Sequence, residues 1–352
     1  MNNKTSNYLS DETGAVAIIT AVVLVFVLLG IAALAIDIGR LNTTKNELQN
    51  AADAAALAGA RELGRKHLNE IEIDQNAVSD ITSAAKDAAE ENIVGNQNFS
   101  LNLDGDDEII IGYWTENSFS HTGERLENAV NVILNEDSAT SFFARVFGVE
   151  RFNPTVYATA ALTGTSKIDE GDSIPVGISK YWFEHDWTGD FCDQPIRFYP
   201  TNDIEGCAGW HTYDLSPANS STLRKDIFEG MLDGDFQSPE MSIGSTAEFF
   251  GGVSSSAFCN PSDQQKDFQD LWEKYKDENN EWKTKAVVYD RDDCSNPNEE
   301  LEILGFVTVI IEEVICAPEK EINAQVICDE FTEFRGGGGD YGTYGTIPSL
   351  VQ

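Results

Sequence analysis

The chain has 352 residues, of which 41% are hydrophobic and 10% aromatic, so it can bury a packed core, and global disorder is excluded. Its 60 acidic and 23 basic side chains give a formal net charge of −37. A field of that sign repels phosphate backbones, and we therefore exclude nucleic acid as a partner. An acidic, solvated surface accounts for the charge, which by itself assigns no activity.

The first predicted element is a membrane anchor. Residues 15–36 carry no charge and a single polar side chain, Thr20. At about 1.5 Å per residue this run spans roughly 33 Å, which matches the hydrocarbon core of a bilayer. A secretory signal peptide has a shorter apolar stretch followed by a cleavage site, whereas this run continues into Asp37 and Arg40. We predict a retained transmembrane helix over 15–36, preceded by a short cytoplasmic segment, 1–14.

The orientation of the anchor rests on the cysteines, because the charges flanking the apolar run are nearly balanced. All six cysteines lie in the C-terminal half, and none stands in a CxxC pair of the kind that zinc sites use. Their even number predicts up to three disulfides in an exported domain, rather than six reduced cysteines in a cytosolic core. The disulfide candidates are Cys192, Cys207, Cys259, Cys294, Cys316 and Cys328. Among many connectivities we favour sequential pairing: Cys192 with Cys207, Cys259 with Cys294, and Cys316 with Cys328.

An Ala-rich juxtamembrane helix is predicted over 37–68. Residues 41–63 contain no proline and mostly strong helix formers, and Gly64 is expected to end the helix. Its small residues allow another helix to approach closely, so this surface either contacts a partner helix or packs on the chain's own domain. The candidate interaction residues are Leu41, Leu48, Ala52, Ala55 and Gly59.

The remaining chain divides into an α+β domain at 69–165, a β-rich cysteine-containing domain at 166–335 and a flexible Gly-rich tail at 336–352. Apolar spacing predicts a helix within 69–100, and a short helix is predicted at Ser138–Phe147. The predicted strands are Leu101–Leu103, Glu108–Trp114, Ala129–Leu134, Thr155–Thr163, Ile174–Ile178, Ile196–Tyr199, Lys285–Tyr289, Leu304–Val314 and Ile322–Ile327. The fold class is therefore α+β: one transmembrane helix, a juxtamembrane helix, and an exported α+β region whose C-terminal domain is β-rich and disulfide-bonded.

The motifs of catalysis and metal binding are missing from the sequence. The four histidines form no HExxH pair, and there is neither a GxSxG elbow nor a phosphate loop. The acidic run from Asp104 to Glu108 lacks the spacing of a calcium loop, so we interpret it as a solvated turn. We predict no enzyme, no cofactor and no metal site. The aromatic residues Tyr181, Trp182, Phe183, Trp187 and Trp210 suit glycan stacking or core packing, and we favour the core.

Three blocks of sequence carry a family resemblance. They are Gly14–Ala17 with the apolar run and Ala35–Arg40, then Glu47–Ala60, and then Ile109–Trp114, Asn128–Val132 and Phe142–Gly148. Together they resemble the Tad (tight adherence) pilus-assembly family, specifically the TadE/TadG-like proteins. The similarity continues more loosely from Gly206 to Phe334. Ile19 stands where pilins and pseudopilins of this class carry a glutamate, so we expect an uncleaved signal-anchor. The chain also lacks the Asp-x-Ser-x-Ser triplet that binds metal in larger relatives.

The resemblance implies a structural component of a Tad/Flp pilus assembly system. It implies a single-pass protein of the bacterial inner membrane, with its C-terminal domain in the periplasm. The expected partners are the membrane and other Tad pilus-assembly proteins, either pseudopilin-like or inner-membrane components. The alternative is a surface-exposed adhesin or ligand-binding module without enzymatic activity.

Overall fold

The computed structural model describes residues 12–95, 97–115, 118–123, 125–136, 139–185, 191–198, 207–251, 255–259, 266–295, 297–316 and 320–352. The helices are α1 (Glu12–Leu68), α2 (Gln75–Glu90), α3 (Lys180–His185), α4 (Ser220–Thr222), α5 (Glu229–Asp233), α6 (Ser255–Phe258) and α7 (Phe268–Tyr275), with a 3-10 helix at Ala144–Phe147 and a π-helical turn at Leu223–Phe228. The strands are β1 (Ile93–Val94), β2 (Gln97–Asn98), β3 (Glu108–Thr115), β4 (Ser118–Ser120), β5 (Ala129–Asn135), β6 (Ala139–Thr140), β7 (Arg151–Phe152), β8 (Thr155–Ala161), β9 (Gly164–Thr165), β10 (Lys167–Ile168), β11 (Ser173–Ser179), β12 (Pro195–Phe198), β13 (Ala208–His211), β14 (Met241–Ser242), β15 (Thr246–Phe250), β16 (Trp282–Tyr289), β17 (Glu300–Ile315), β18 (Glu321–Ile327), β19 (Glu330–Gly338), β20 (Thr343–Ile347) and β21 (Ser349–Leu350). The α+β prediction is confirmed.

Helix α1 joins the predicted anchor and juxtamembrane helix without a break. Its 57 residues contain no proline and give a length of about 86 Å. The prediction that Gly64 ends the helix is wrong. The helix ends instead at Leu68, where Glu70 adopts a left-handed backbone and the amide of Ile71 donates to the carbonyl of Lys66.

The chain forms two compact units. The first comprises Met1–Ala55, Lys86–Ile109 and Val132–Ala158, and the second comprises Ala56–Ala85, Ile110–Asn131 and Thr159–Gln352. The strands in the order β21-β8-β5-β3-β4 make a five-stranded sheet. Predicted strands at Glu108–Trp114, Ala129–Leu134 and Thr155–Thr163 all lie in this sheet, to within two residues at each end.

Two predicted elements of the first unit differ from the structure. Residues 101–103 form no strand, because the buried Asp107 carboxylate accepts the amide of Asn102 at 2.8 Å and that of Asn135 at 2.7 Å. In the predicted helix over Ser138–Phe147, Ser138 lies outside the described residues, Ala139–Thr140 form strand β6, and a 3-10 turn begins only at Ala144. In the first case the buried Asp107 carboxylate takes backbone donors that the sequence pattern assigned to a strand. In the second case Ala139 and Thr140 pair with Phe152 and Arg151 of β7.

The second unit contains a seven-stranded sheet with the order β12-β18-β17-β15-β13-β11-β16. Strand β16 also pairs with β17, so the path β17-β15-β13-β11-β16 returns to its first strand. Among the described residues of this sheet, β11 and β16 pair in parallel, and the other neighbouring strands pair antiparallel. Fully buried aromatic residues fill the core of this unit, among them Phe228, Phe249, Phe258, Phe268 and Tyr289.

The C-terminal residues 336–352, expected to be a flexible tail, are built into the second unit. Strands β19 and β20 pair with each other and with β9, while β21 pairs with β8. The glycines make this possible because a Cβ at Gly164 would collide with the carbonyl oxygen of Gly339, and one at Gly338 with that of Thr165. The glycine run therefore serves close approach of backbones rather than flexibility.

Candidate functional site

The apolar part of α1 is the first candidate. Between Val16 and Ile36 its large side chains are exposed on every side, with Phe26 at 70%. Within the described residues this is the one helix long and apolar enough to cross a membrane. Burial of such a surface is worth about 25 cal/mol per Å², so this segment is stable only inside a bilayer or against other helices.

A buried carboxylate marks the base of the anchor. Asp37 directly follows the apolar run, yet its side chain is only 2% exposed. Its carboxylate oxygens accept hydrogen bonds from the backbone amides of Phe142 at 3.0 Å, Phe143 at 2.9 Å and Ala144 at 2.6 Å. We call these four residues the junction clamp. Burial acts to raise the pKa of Asp37, but the three amides and the nearby Arg40 outweigh it and hold that pKa below its ordinary value.

The junction clamp has a cationic and an aromatic partner. The guanidinium of Arg40 lies over the ring of Phe142, with 4.1 Å between Cζ and the ring centroid. Sequence reasoning singled out Asp37 and the Phe-Phe-Ala-Arg segment as parts of a motif but gave neither a role. An acidic residue at the end of an apolar run was a signal that pointed to a specific contact, since an unpaired carboxylate there is costly.

Two further side chains of α1 hold loops of the first unit. The carboxylate of Glu47 accepts the amide of Gly95 at 2.8 Å, and the amide group of Gln49 donates to the carbonyl of Tyr157 at 3.0 Å. Gln49 also donates to Asp53 at 2.8 Å, which fixes its rotamer. These polar residues of the helix are therefore engaged within the chain.

The predicted interaction helix is also engaged within the chain. Leu48, Ala52 and Ala55 are fully buried, and Leu41 is half-buried. A Cβ at Gly59 would lie 3.0 Å from Cγ1 of Val130 and 3.3 Å from Cβ of Ala85. The small residues thus allow the helix to pack closely within its own units, the second of the two arrangements that the sequence left open. Contact with a partner helix stays a prediction.

All six cysteines form disulfides, as predicted, but the sequential pairing is wrong. The bonds are Cys192–Cys328, Cys207–Cys294 and Cys259–Cys316, which join residues 136, 87 and 57 positions apart.

Sheet order explains two of these pairs. Strand β11 is antiparallel to β13 and parallel to β16, so the start of β13 and the end of β16 meet at one end of the sheet. Cys207 directly precedes β13, and Cys294 follows the last residue of β16 by five positions. Likewise β12 and β18 are antiparallel neighbours, which brings Cys192, before β12, close to Cys328, after β18.

Of the predicted aromatic cluster, Trp182, Phe183 and Trp210 pack in the core, whereas Tyr181 is half-buried and stacks on the exposed His185 with ring centroids 4.2 Å apart. Trp182 is 5% exposed and packs edge-on against Phe183, which in turn contacts Phe191 and Tyr341. Trp210 packs elsewhere in the same core, against Phe228 and Phe268. Trp187 lies outside the described residues.

A cavity of about 450 Å³ opens in the second unit. Its wall includes Tyr275 and Trp282, whose rings stack with centroids 5.3 Å apart. Lys285 lies 2.8 Å from Asp172 in the same wall, so the charges there are paired. An aromatic platform flanked by paired charges suits a polar ligand with an apolar face.

Neither acid–base nor metal chemistry emerges from the described residues. Among them no three His, Cys, Asp or Glu side chains cluster as metal ligands. His67 stacks on Phe331 at 4.5 Å, and burial lowers its pKa. His211 is fully buried and burial lowers its pKa to about 3, so it is neutral in the fold. Both histidines are packing groups of the second unit.

The described residues thus form an α+β protein in which an apolar helix, long enough to cross a membrane, precedes a disulfide-bonded C-terminal region. Residues 14–62 match the family described as Flp pilus-assembly TadE/G-like, and residues 39–160 match the Tad-like Flp pilus-assembly family. The predicted resemblance to Flp pilus-assembly proteins is confirmed over residues 14–160. No curated protein and no solved structure matches the chain.

Proposed function

We propose that this protein is a membrane-anchored structural component of a Tad/Flp pilus assembly system. It spans the bacterial inner membrane once, holds its C-terminal domain in the periplasm and acts by contacting other pilus-assembly proteins rather than by catalysis. The observation that carries the proposal is the coincidence of the Tad matches with the anchor and its base, over residues 14–160. The three disulfides support an oxidising compartment for the domain.

Gene deletion and complementation in the native bacterium test the role. We expect deletion to abolish surface pili while the level of the major pilin stays normal, because an assembly component acts after pilin synthesis. The wild-type gene should restore piliation. Normal piliation in the deletion strain would contradict the proposal.

Topology is tested separately by thiol labelling. In spheroplasts an impermeant maleimide should modify the protein only after reduction, because all six cysteines are paired in the structure and are proposed to face the periplasm. Labelling that requires lysis of the membrane would place the domain in the cytoplasm.

The substitution Ala55→Leu separates partner contact from internal packing. Ala55 is fully buried, so the larger side chain should lower the unfolding free energy by about 1–3 kcal/mol through overpacking. Leu41→Ala changes a half-buried candidate residue and tests the same surface at a smaller cost in stability. Lost piliation in an Ala55→Leu variant of unchanged stability would instead support a partner helix at this surface.

The cavity at Tyr275 and Trp282 favours a second candidate, a ligand-binding module. Tyr275 is 44% exposed, so Tyr275→Ala should leave the fold intact while removing half of the aromatic platform. Glycan-array binding by the wild type that is lost in this variant would support the second candidate. Deletion strains that keep their pili but lose adhesion would favour it over pilus assembly.

A further inference from the structure

Two exposed aromatic side chains, Phe142 and Phe143, lie beside the C-terminal end of the apolar segment of α1. Phe142 is 61% exposed and Phe143 is 43% exposed, although their backbone amides are bound to the buried Asp37. Asp37 is the first residue after the apolar run, so the Asp37 contacts fix both residues beside that end of the run. The neighbouring side chains of α1 are also apolar and exposed: Ile36 at 51% and Ile38 at 49%.

The position of the clamp determines its surroundings when α1 crosses a bilayer. If residues 15–36 fill the hydrocarbon core, Asp37 lies at its edge, and the amides within 3.0 Å of Asp37 lie at the same depth. Side chains that extend from this loop are then in the interfacial layer. Phenylalanine is among the large apolar residues that interfacial segments bury at the boundary between headgroups and acyl chains.

The backbone chemistry of the loop fits a water-poor layer. A free backbone amide is expensive where water is scarce, and the Asp37 carboxylate satisfies three successive amides at once. Cationic groups flank the rings: Arg40 lies over Phe142, and the exposed Arg145 follows one turn later. Arginines in this position reach phosphate headgroups while their stems stay on the apolar side.

We propose that Phe142 and Phe143 insert into the interfacial layer of the bilayer that α1 crosses, and that Asp37 is the positioning residue that holds them there. The occupant of this apolar surface is lipid, because the surface is continuous with the membrane-spanning segment of the same helix. The contact fixes how the first unit stands on the membrane. It depends on the anchor alone, so its failure leaves the proposed role in pilus assembly untouched.

Depth-dependent fluorescence quenching tests the insertion with the full-length protein in lipid nanodiscs. The native cysteines are all paired, so a cysteine introduced at one position takes up a single environment-sensitive label. The test variants are Phe142→Cys and Phe143→Cys. The matched controls are Ile93→Cys and Leu103→Cys, exposed apolar positions of the same unit at 60% and 42%.

We expect lipid-attached doxyl groups to quench the label at 142 and 143 and to leave it unaffected at 93 and 103. Equal fluorescence with and without doxyl lipid at both test positions would overturn the proposal. A blue-shifted label that doxyl lipid does not quench would also overturn it, because that label would be covered by protein.

The positioning role of Asp37 needs its own readout. In Asp37→Ala the amides of Phe142, Phe143 and Ala144 lose their acceptor, so we expect faster hydrogen exchange there and a loss of quenching at 142. Asp37→Asn keeps a carbonyl acceptor and should retain part of both signals. Unchanged quenching in Asp37→Ala, in protein whose near-UV circular dichroism remains native, would show that Asp37 does not position the loop.

Discussion

Replacing glycine by alanine at two positions of α1 should change stability in opposite directions. Alanine is about 1 kcal/mol better than glycine inside a helix, and this gain is available to both Gly39→Ala and Gly64→Ala. At Gly39 a Cβ meets nothing within 4 Å, so the gain should be realised. At Gly64 a Cβ would lie 2.7 Å from the carbonyl oxygen of Thr346 and 3.2 Å from Cδ2 of Leu162.

A backbone oxygen cannot move away as a flexible side chain can, so overpacking at Gly64 should cost about 1–3 kcal/mol and outweigh the helix gain. We expect Gly64→Ala to be net destabilising by up to about 2 kcal/mol, while Gly39→Ala is neutral or stabilising by up to about 1 kcal/mol. Gly59→Ala, whose Cβ would lie 3.0 Å from a valine methyl group, should fall between them.

Chemical denaturation of the full-length protein in detergent micelles measures this series. The fluorescence of the tryptophans reports unfolding of the second unit, to which Gly64 and Thr346 both belong, and far-UV circular dichroism reports unfolding of the helix that contains Gly39. Stabilisation by Gly64→Ala equal to that by Gly39→Ala would refute the close packing of α1 on strand β20.

Two further predictions concern the second unit. The double substitution of Cys259→Ser and Cys316→Ser should lower the unfolding free energy by about 2–5 kcal/mol. Peptide mapping of the wild type should recover a Cys259–Cys316 peptide. A Cys316–Cys328 peptide would contradict the structure. Burial lowers the pKa of His67 and of His211 below the unfolded-state value of 6.5. Below about pH 6.5 the unfolded chain therefore binds protons that the folded protein does not, and the unfolding free energy falls as the pH falls. Urea midpoints should therefore decline from about pH 7 to about pH 5, at up to about 1.4 kcal/mol per pH unit for each histidine. His67→Gln should flatten this decline, while a flattening by His121→Gln, at an exposed position, would contradict the assignment.

Local patterns in the sequence were enough to determine the apolar segment, the long helix and most of the strands of the large sheet. An uninterrupted apolar run and a proline-free Ala-rich stretch predict a helix whatever surrounds them. The structure ends this helix at Leu68, the last residue of the predicted range, and not at the expected cap, Gly64. The buried strand around Phe306 was predicted for the same reason, since a continuous run of β-branched residues has few other stable conformations.

Pairing between distant parts of the chain was decided by the tertiary structure. Cys207 bonds Cys294 because β11 lies between β13 and β16, an order that no local pattern encodes. The glycine run near Gly338 suggested flexibility because β9, the strand with which it pairs, is far away in sequence.

The contacts of the junction clamp were likewise decided by the tertiary structure. More than a hundred residues separate Asp37 from the amides that donate hydrogen bonds to it. The sequence therefore showed a charge beside an apolar run but not the hydrogen-bond partners of that charge. Hydrophobic periodicity is a local property and determines the elements. The positions of disulfides, close glycine contacts and buried carboxylates depend on which elements meet, and only the folded chain decides that.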